Sequence, residues 1–227
     1  MTAGKIVLLV FGVIILLGAF ALLFSGGASL WVNSALTDSE GFITTKTIQL
    51  ETDSYAIITK PADIDVKTAW LWDWSNLVTF KVEGKNDNSL KQIFIGLAEE
   101  SDLNAYLSDV EYDEITEFSI YPLRVAYTNH PGDSEPPAPT SQTLWTASAH
   151  GTGTRSLEWE LETGTYSLVL MNGDGSAGVD LSVVVGVKVP LIFGIGVGLL
   201  VGGVVALIVG GVMIFFAVRK SRTVQVI

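Results

Sequence analysis

The chain has 227 residues, 48% of them hydrophobic, yet its formal net charge is −11; this leaves room for one domain plus anchors and is too apolar for a plain soluble domain. All 24 acidic residues lie between Asp38 and Asp180, so the stretch 26–189 holds nine basic against 24 acidic residues, a net −15, while Lys5, Arg219, Lys220 and Arg222 lie outside it. The absence of cysteine excludes a disulfide framework, a thiolate metal site and a cysteine nucleophile, and the acidic balance excludes a nucleic-acid partner, whose phosphates require a basic surface.

Residues 6–24 are an unbroken run of 19 apolar residues and glycines, enough at about 1.5 Å per residue to cross a hydrocarbon core of about 30 Å. Lys5 precedes the run and Trp31 stands where an interfacial aromatic anchors the far end. Residues 1–5 are therefore read as a cytoplasmic N-terminus and 6–32 as a first transmembrane helix. Ser25, Gly26, Gly27, Ala28 and Ser29 would also suit a signal-peptide cleavage site. The run exceeds a signal core of about 7–15 residues, so an uncleaved anchor is expected.

Residues 33–189 read as an extracytoplasmic domain. Short alternating or β-branched runs broken by turn residues predict strands at 43–50, 55–59, 77–83, 91–97, 115–120, 123–128, 143–149, 155–161, 164–171 and 179–188. Many short strands without helical crossovers argue for an all-β antiparallel sandwich of jelly-roll type. The stretch 84–88 and the pair Thr163 and Gly164 look like hairpin turns. One short helix is expected at 102–108, capped by Ser101, with Leu103, Leu107 and Val110 covering an end of the sandwich. The stretch 129–140 carries Pro131, Pro136, Pro137 and Pro139 and reads as an exposed, extended loop.

Three features in this domain invite functional readings. Trp70, Trp72 and Trp74 alternate, so in an extended segment their rings share one face; core or inter-subunit packing, membrane-interface contact and a ligand platform all remain open. Trp145 and Trp159 lie in strand patterns and are expected in the core. Asn172, Asp174 and Ser176 place oxygens at alternate positions, like the start of a calcium loop. The later positions of that loop hold Ala177 and Val183, so a hairpin turn is the stronger reading. Asp63 with Asp65, and Asp109, Glu111, Asp113, Glu114 and Glu117, are weighed as weak cation ligands against a solvated acidic edge that discourages aggregation; the edge is preferred. His130 and His150 are the only histidines, no nucleophile elbow, phosphate loop or metalloprotease helix is present, and no N-glycosylation sequon occurs. No catalytic, metal or cofactor residue is assigned.

The second span, 190–218, begins at Pro190 and is followed by a basic tail, 219–227. Basic residues flank both spans on one side, so both termini are expected in the cytoplasm. Gly194, Gly198, Gly202, Ala206 and Gly210 recur every four residues, a smooth ridge expected to pack against a neighbouring helix of this chain or of a second copy. Neither span contains an ionisable residue, which disfavours ion-coupled transport.

The segments 41–57, 93–96, 103–107, 113–115 and 166–178, containing Gly41-Phe42, Ile93-Phe94-Ile95-Gly96 and Leu103-Asn104-Ala105-Tyr106-Leu107, resemble a family of two-span envelope membrane proteins of actinobacteria and some archaea. The resemblance covers nearly the whole chain and implies the same topology with a β-sandwich ectodomain; it implies no activity. A non-enzymatic envelope protein is expected, assembling with itself. The alternatives are a module binding a ligand or glycan and an accessory subunit of a larger membrane complex. The expected partners are the lipid bilayer, copies of the chain and other membrane proteins.

Overall fold

The computed structural model of the chain describes residues 3–65, 78–120 and 123–219. Three helices, α1 (Ala3–Leu36), α2 (Glu100–Tyr106) and α3 (Pro190–Val218), accompany the strands. The chain divides into a helical unit, residues 1–37 with 190–227, and a β unit, residues 38–189.

In the helical unit α1 has 34 residues and α3 has 29, both apolar and long enough to cross a membrane. At about 1.5 Å per residue each exceeds a hydrocarbon core of about 30 Å. Helix α1 thus extends past 6–32 at both ends, and residues 25–29 lie inside it rather than in a loop. Proline at the first position of α3 costs nothing, because that N–H has no helical partner in any case. The helices run antiparallel: Gly12 lies against Gly210 and Ile214, and Gly26 against Gly196 and Leu200. Lys5 Nζ donates to the Arg219 carbonyl at 2.7 Å, so the two basic flanks meet at one end of the pair.

The β unit holds twelve described strands: β1 (Ile43–Thr44), β2 (Ile48–Thr52), β3 (Ala56–Thr59), β4 (Ala62–Ile64), β5 (Thr79–Asn86), β6 (Ile93–Glu99), β7 (Tyr112–Ile120), β8 (Leu123–His130), β9 (Ala147–Gly151), β10 (Arg155–Glu160), β11 (Gly164–Asn172) and β12 (Val179–Lys188). One sheet has the order β1-β12-β5-β10, with β2 also on β12; the other has β8-β7-β3-β11-β6-β9, with β4 also on β11. The sheets form a sandwich. Its inner layer includes Ile57, Ile93, Ile95 and Leu170 from the larger sheet and Leu181, Val183 and Val179 from the smaller. All pairings are antiparallel except β3 with β7, which run parallel and make the larger sheet mixed.

Pro61 explains why β3 and β4 are separate. It has no N–H to donate to the ladder and holds the residue before it extended. The break is bridged by Thr59, whose hydroxyl accepts the Leu168 N–H at 3.0 Å. In the smaller sheet Thr45 does the same between β1 and β2, accepting the Val185 N–H at 3.1 Å.

The expected hairpins at 84–88, at Thr163 and Gly164, and at 172–176 are not hairpins. Each joins strands of different sheets, β5 to β6, β10 to β11 and β11 to β12. Turn-forming residues mark a reversal without saying whether the next strand pairs with the last or crosses the core. The pair β7 and β8 does form a hairpin ladder.

Helix α2 also differs from expectation. It begins at Glu100, Glu99 stands at its N-cap without a side-chain bond, and Ser101 lies within it. Leu103, Leu107 and Val110 do share a buried face, but they cover the outer face of the larger sheet, over Ala56, Phe94, Val169 and Met171, not an end of the sandwich. The proline loop closes the same face. Pro136 and Pro139 are buried, Tyr106 donates to the Pro137 carbonyl at 2.7 Å, and Trp145 donates to the Pro139 carbonyl at 2.9 Å. An exposed, extended loop was expected; Pro131 and Pro137 are exposed, but Pro136 and Pro139 are buried, and the Pro137 and Pro139 carbonyls serve as acceptors for half-buried aromatics. Trp145 precedes β9 rather than lying in a strand and packs on Phe94 and Tyr106. Trp159 lies in β10 against Tyr166.

Candidate functional site

The α1–α3 seam is built from small residues seven apart. Gly12, Ala19 and Gly26 are buried on α1; Gly196, Gly203, Gly210 and Ala217 are buried on α3. A seven-residue repeat gives 3.5 residues per turn, slightly below the helical period, so such a seam stays in contact only through a left-handed supercoil. Each buried glycine of α3 receives a leucine of α1: Leu30 at Gly196, Leu23 at Gly203 and Leu16 at Gly210. Leu200 and Ile214 enter at Gly26 and Gly12 in return.

Of the five residues expected to form the packing ridge, only Gly210 belongs to this seam. A Cβ built on Gly194, Gly198 or Gly202 would meet nothing within 4 Å, and Ala206 is half-buried. Within the chain the ridge is therefore not the packing face; its four-residue spacing turns it away from α1. The signal missed was the paired seven-residue spacing, legible in both helices together with Leu16, Leu23 and Leu30.

Trp70, Trp72 and Trp74 lie outside the described residues. The Asn172 turn is structural in its hydrogen bonding. Asn172, fully buried, donates to the Ser176, Ala177 and Gly178 carbonyls and accepts from Asn86 Nδ2 at 2.8 Å, tying β11 to β5. Asp174 accepts from the Ser176 N–H and hydroxyl, which hold its carboxyl below the usual range. The oxygens weighed for a calcium loop are thus engaged with Asn86 and with one another within the turn. Among the described residues no group of three or more acidic or histidine side chains is placed to hold a metal ion.

The acids of 109–117 do not line a sheet edge, because β8 lies outside β7. Asp109, at φ 63°, accepts from Ser134. Asp113 is buried and accepts from Thr52 and from Asn129. Glu111 also accepts from Asn129, and Glu114 pairs with His130 at 3.0 Å while that ring stacks on Tyr112. The polar end of β8 thus hydrogen-bonds Glu111, Asp113 and Glu114. No serine hydroxyl bonds His130 or His150 among the described residues.

The feature no sequence pattern announced is an apolar cleft of about 390 Å³ between the sheets. Consecutive cross-sheet connections stack β10 over β9, β5 over β6 and β12 over β11, so among the described strands β7 and β8 continue the larger sheet beyond the last strand of the smaller one. The smaller sheet contributes Ile48, Leu50, Val183 and Val185, and β11 contributes Leu168 and Leu170. A β-bulge between Ile115 and Glu117 sets what β7 contributes. Without it the inward alternation of Asp113 and Ile115 would continue to Glu117; the extra residue places Thr116 and Phe118 on the cleft instead. Lys60, exposed at the β3–β4 break, lies on the rim.

A second basic centre lies on the outer face of the smaller sheet. Lys81 is buried and bonds Glu40 at 2.5 Å, with Asp38 and Glu83 each at 3.7 Å. Hydrogen bonding to Glu40 holds its ammonium above the ordinary range. Lys81 and Lys188 both approach the ring of buried Phe42, at 4.9 and 5.2 Å from its centroid, an arrangement that fastens the first residues of the domain. No protein-family model and no curated protein matches the chain.

Proposed function

We propose that the chain is a non-enzymatic two-pass protein of the cell envelope, with both termini in the cytoplasm and the sandwich outside, which assembles with copies of itself through the outward face of α3. The observation that carries this reading is the bare face at Gly194, Gly198 and Gly202, beside a seam to α1 that uses other residues. Lipid supplies no hydrophobic drive between helices, so close approach of backbones at small residues is what associates them. The orientation is supported by Lys5 and Arg219 at one end of the helical pair and by Lys220 and Arg222 following in sequence. The resemblance to two-span envelope proteins supports the same placement.

The test is native mass determination of the full chain in mild detergent, with Gly198→Leu and Gly202→Leu combined. The oligomer is expected to fall to monomer while the α1–α3 pair stays intact. An oligomer of unchanged mass overturns the assignment of this face, and a stable mass with a second protein favours an accessory subunit instead. A ligand-binding role for the sandwich is the second reading, favoured by the apolar cleft.

A further inference from the structure

We infer that the cleft between the sheets is a binding site for a single-chain amphiphile with an anionic head, of the class of a long-chain carboxylate. The lining selects the tail. Its walls are aliphatic and aromatic, and each of its two hydroxyls is partly engaged: Thr59 accepts the Leu168 N–H, and Thr116 donates to the Ala126 carbonyl at 3.3 Å. A sugar entering this space would lose water from most of its hydroxyls and find, among the described residues, only these two hydroxyls and Lys60 at the rim to replace it, a cost that an alkyl chain does not meet. The volume, about 390 Å³, lies near the lower end of the range of about 300–1,000 Å³ for small-ligand sites, which suits one chain rather than two.

The rim selects the head. Lys60 has no hydrogen-bond or ion-pair partner among the described residues, in a domain whose acidic residues outnumber its basic ones by 24 to nine. An anion is repelled by most of this surface and meets a local cation where the apolar wall ends. The bulge in β7 fits the same purpose, since it puts Phe118 rather than Glu117 against the tail.

The test uses the full chain in nanodiscs of zwitterionic lipid, a photoreactive long-chain carboxylate as probe, and mapping of labelled peptides by mass spectrometry. Label is expected on peptides carrying Ile48 and Leu50, Ile115 to Phe118, and Leu168 and Leu170. It should fall at least fivefold with Lys60→Glu or with the methyl ester of the same probe, and vanish when Leu168→Trp fills the cleft. Label on α1 and α3, which face lipid, serves as the internal reference and should not change. Label confined to α1 and α3 overturns the site. Cleft label equal for acid and ester, and indifferent to Lys60→Glu, overturns the anionic head. Lys60 is exposed, so its variant reports even where Leu168→Trp does not fold.

Discussion

The two units of this protein solve the same packing problem in opposite ways. The sandwich is held by side-chain volume: Leu181, Ile57 and Ile95 are fully buried and fill the space between sheets. The helical pair is held by missing volume, at Gly12, Gly26, Gly196, Gly203 and Gly210, where one helix admits leucines or, at Gly12, Ile214 of the other. Water drives the first by expelling apolar surface. In a bilayer that drive is absent, and only close, complementary contact distinguishes a neighbouring helix from lipid. The same kind of mutation should therefore have opposite consequences in the two units.

Removing volume is expected to hurt the sandwich most. Leu181→Ala should cost about 3–4 kcal/mol, the transfer term plus a cavity that a two-sheet core cannot close; chemical unfolding followed by the fluorescence of the domain's tryptophans measures it. Adding volume should hurt the helices. A Cβ at Gly26 would stand 2.8 Å from the Gly196 carbonyl oxygen and 2.9 Å from the Leu200 backbone N, so Gly26→Leu must push backbones apart, at about 1–3 kcal/mol. Amide exchange of α1 and α3 in nanodiscs should accelerate in this variant and stay unchanged in Gly18→Leu, where a Cβ would meet nothing within 4 Å. Equal acceleration in both would mean that the two faces of α1 are not distinct.

The smallest expected effect separates the units by pH. Asp38 is held below its ordinary value of 3.8 chiefly by the Phe42 N–H, Asp87 by the Ser182 hydroxyl, and Asp174 by the Ser176 N–H. A depressed folded pKa contributes stability that is complete above the unfolded value and is lost as pH falls through the folded one. Lys81, raised above 10.5, has the opposite sign, its contribution complete below that pH and lost as pH rises through its folded pKa. The sandwich should thus weaken below about pH 4 and again above about pH 10.5, by linkage. Asp87→Asn should lower stability at neutral pH and flatten the acid limb of its pH curve. No acidic residue or histidine lies in 1–37 or 190–227, so exchange in the helical pair should not respond to acid. A helical pair that loosens in step with the sandwich below pH 4 would break the comparison.

Much of this contrast could be read without coordinates. Hydropathy marked both long helices, alternation marked most strands, and the spacing of Leu103, Leu107 and Val110 marked the buried face of α2. The errors share one cause. Asn86, Gly164 and Asn172 announce turns, but whether a turn returns to the same sheet depends on partners far away in sequence. Ser101 has the chemistry of a cap, yet the ladder of β6 runs to Glu99 and delivers the chain into the helix two residues too early for it to serve. The glycine ridge was read from the spacing on one helix, and the seam needed the spacings of both.

The sequence by itself determined the segregation of the chain into apolar helices and an acidic β domain, because water and lipid sort residues by polarity before any partner is chosen. It also determined the break at Pro61, which cannot donate to a ladder wherever it lies, but not the break between β1 and β2 inside the strand expected at 43–50. Only the tertiary structure decided which glycines of α3 meet α1, that the proline loop is strapped to Tyr106 and Trp145, and that two strands of one sheet outrun the other to leave a cleft. Those outcomes depend on register between distant segments, and side-chain identity alone does not encode register until the segments are in contact.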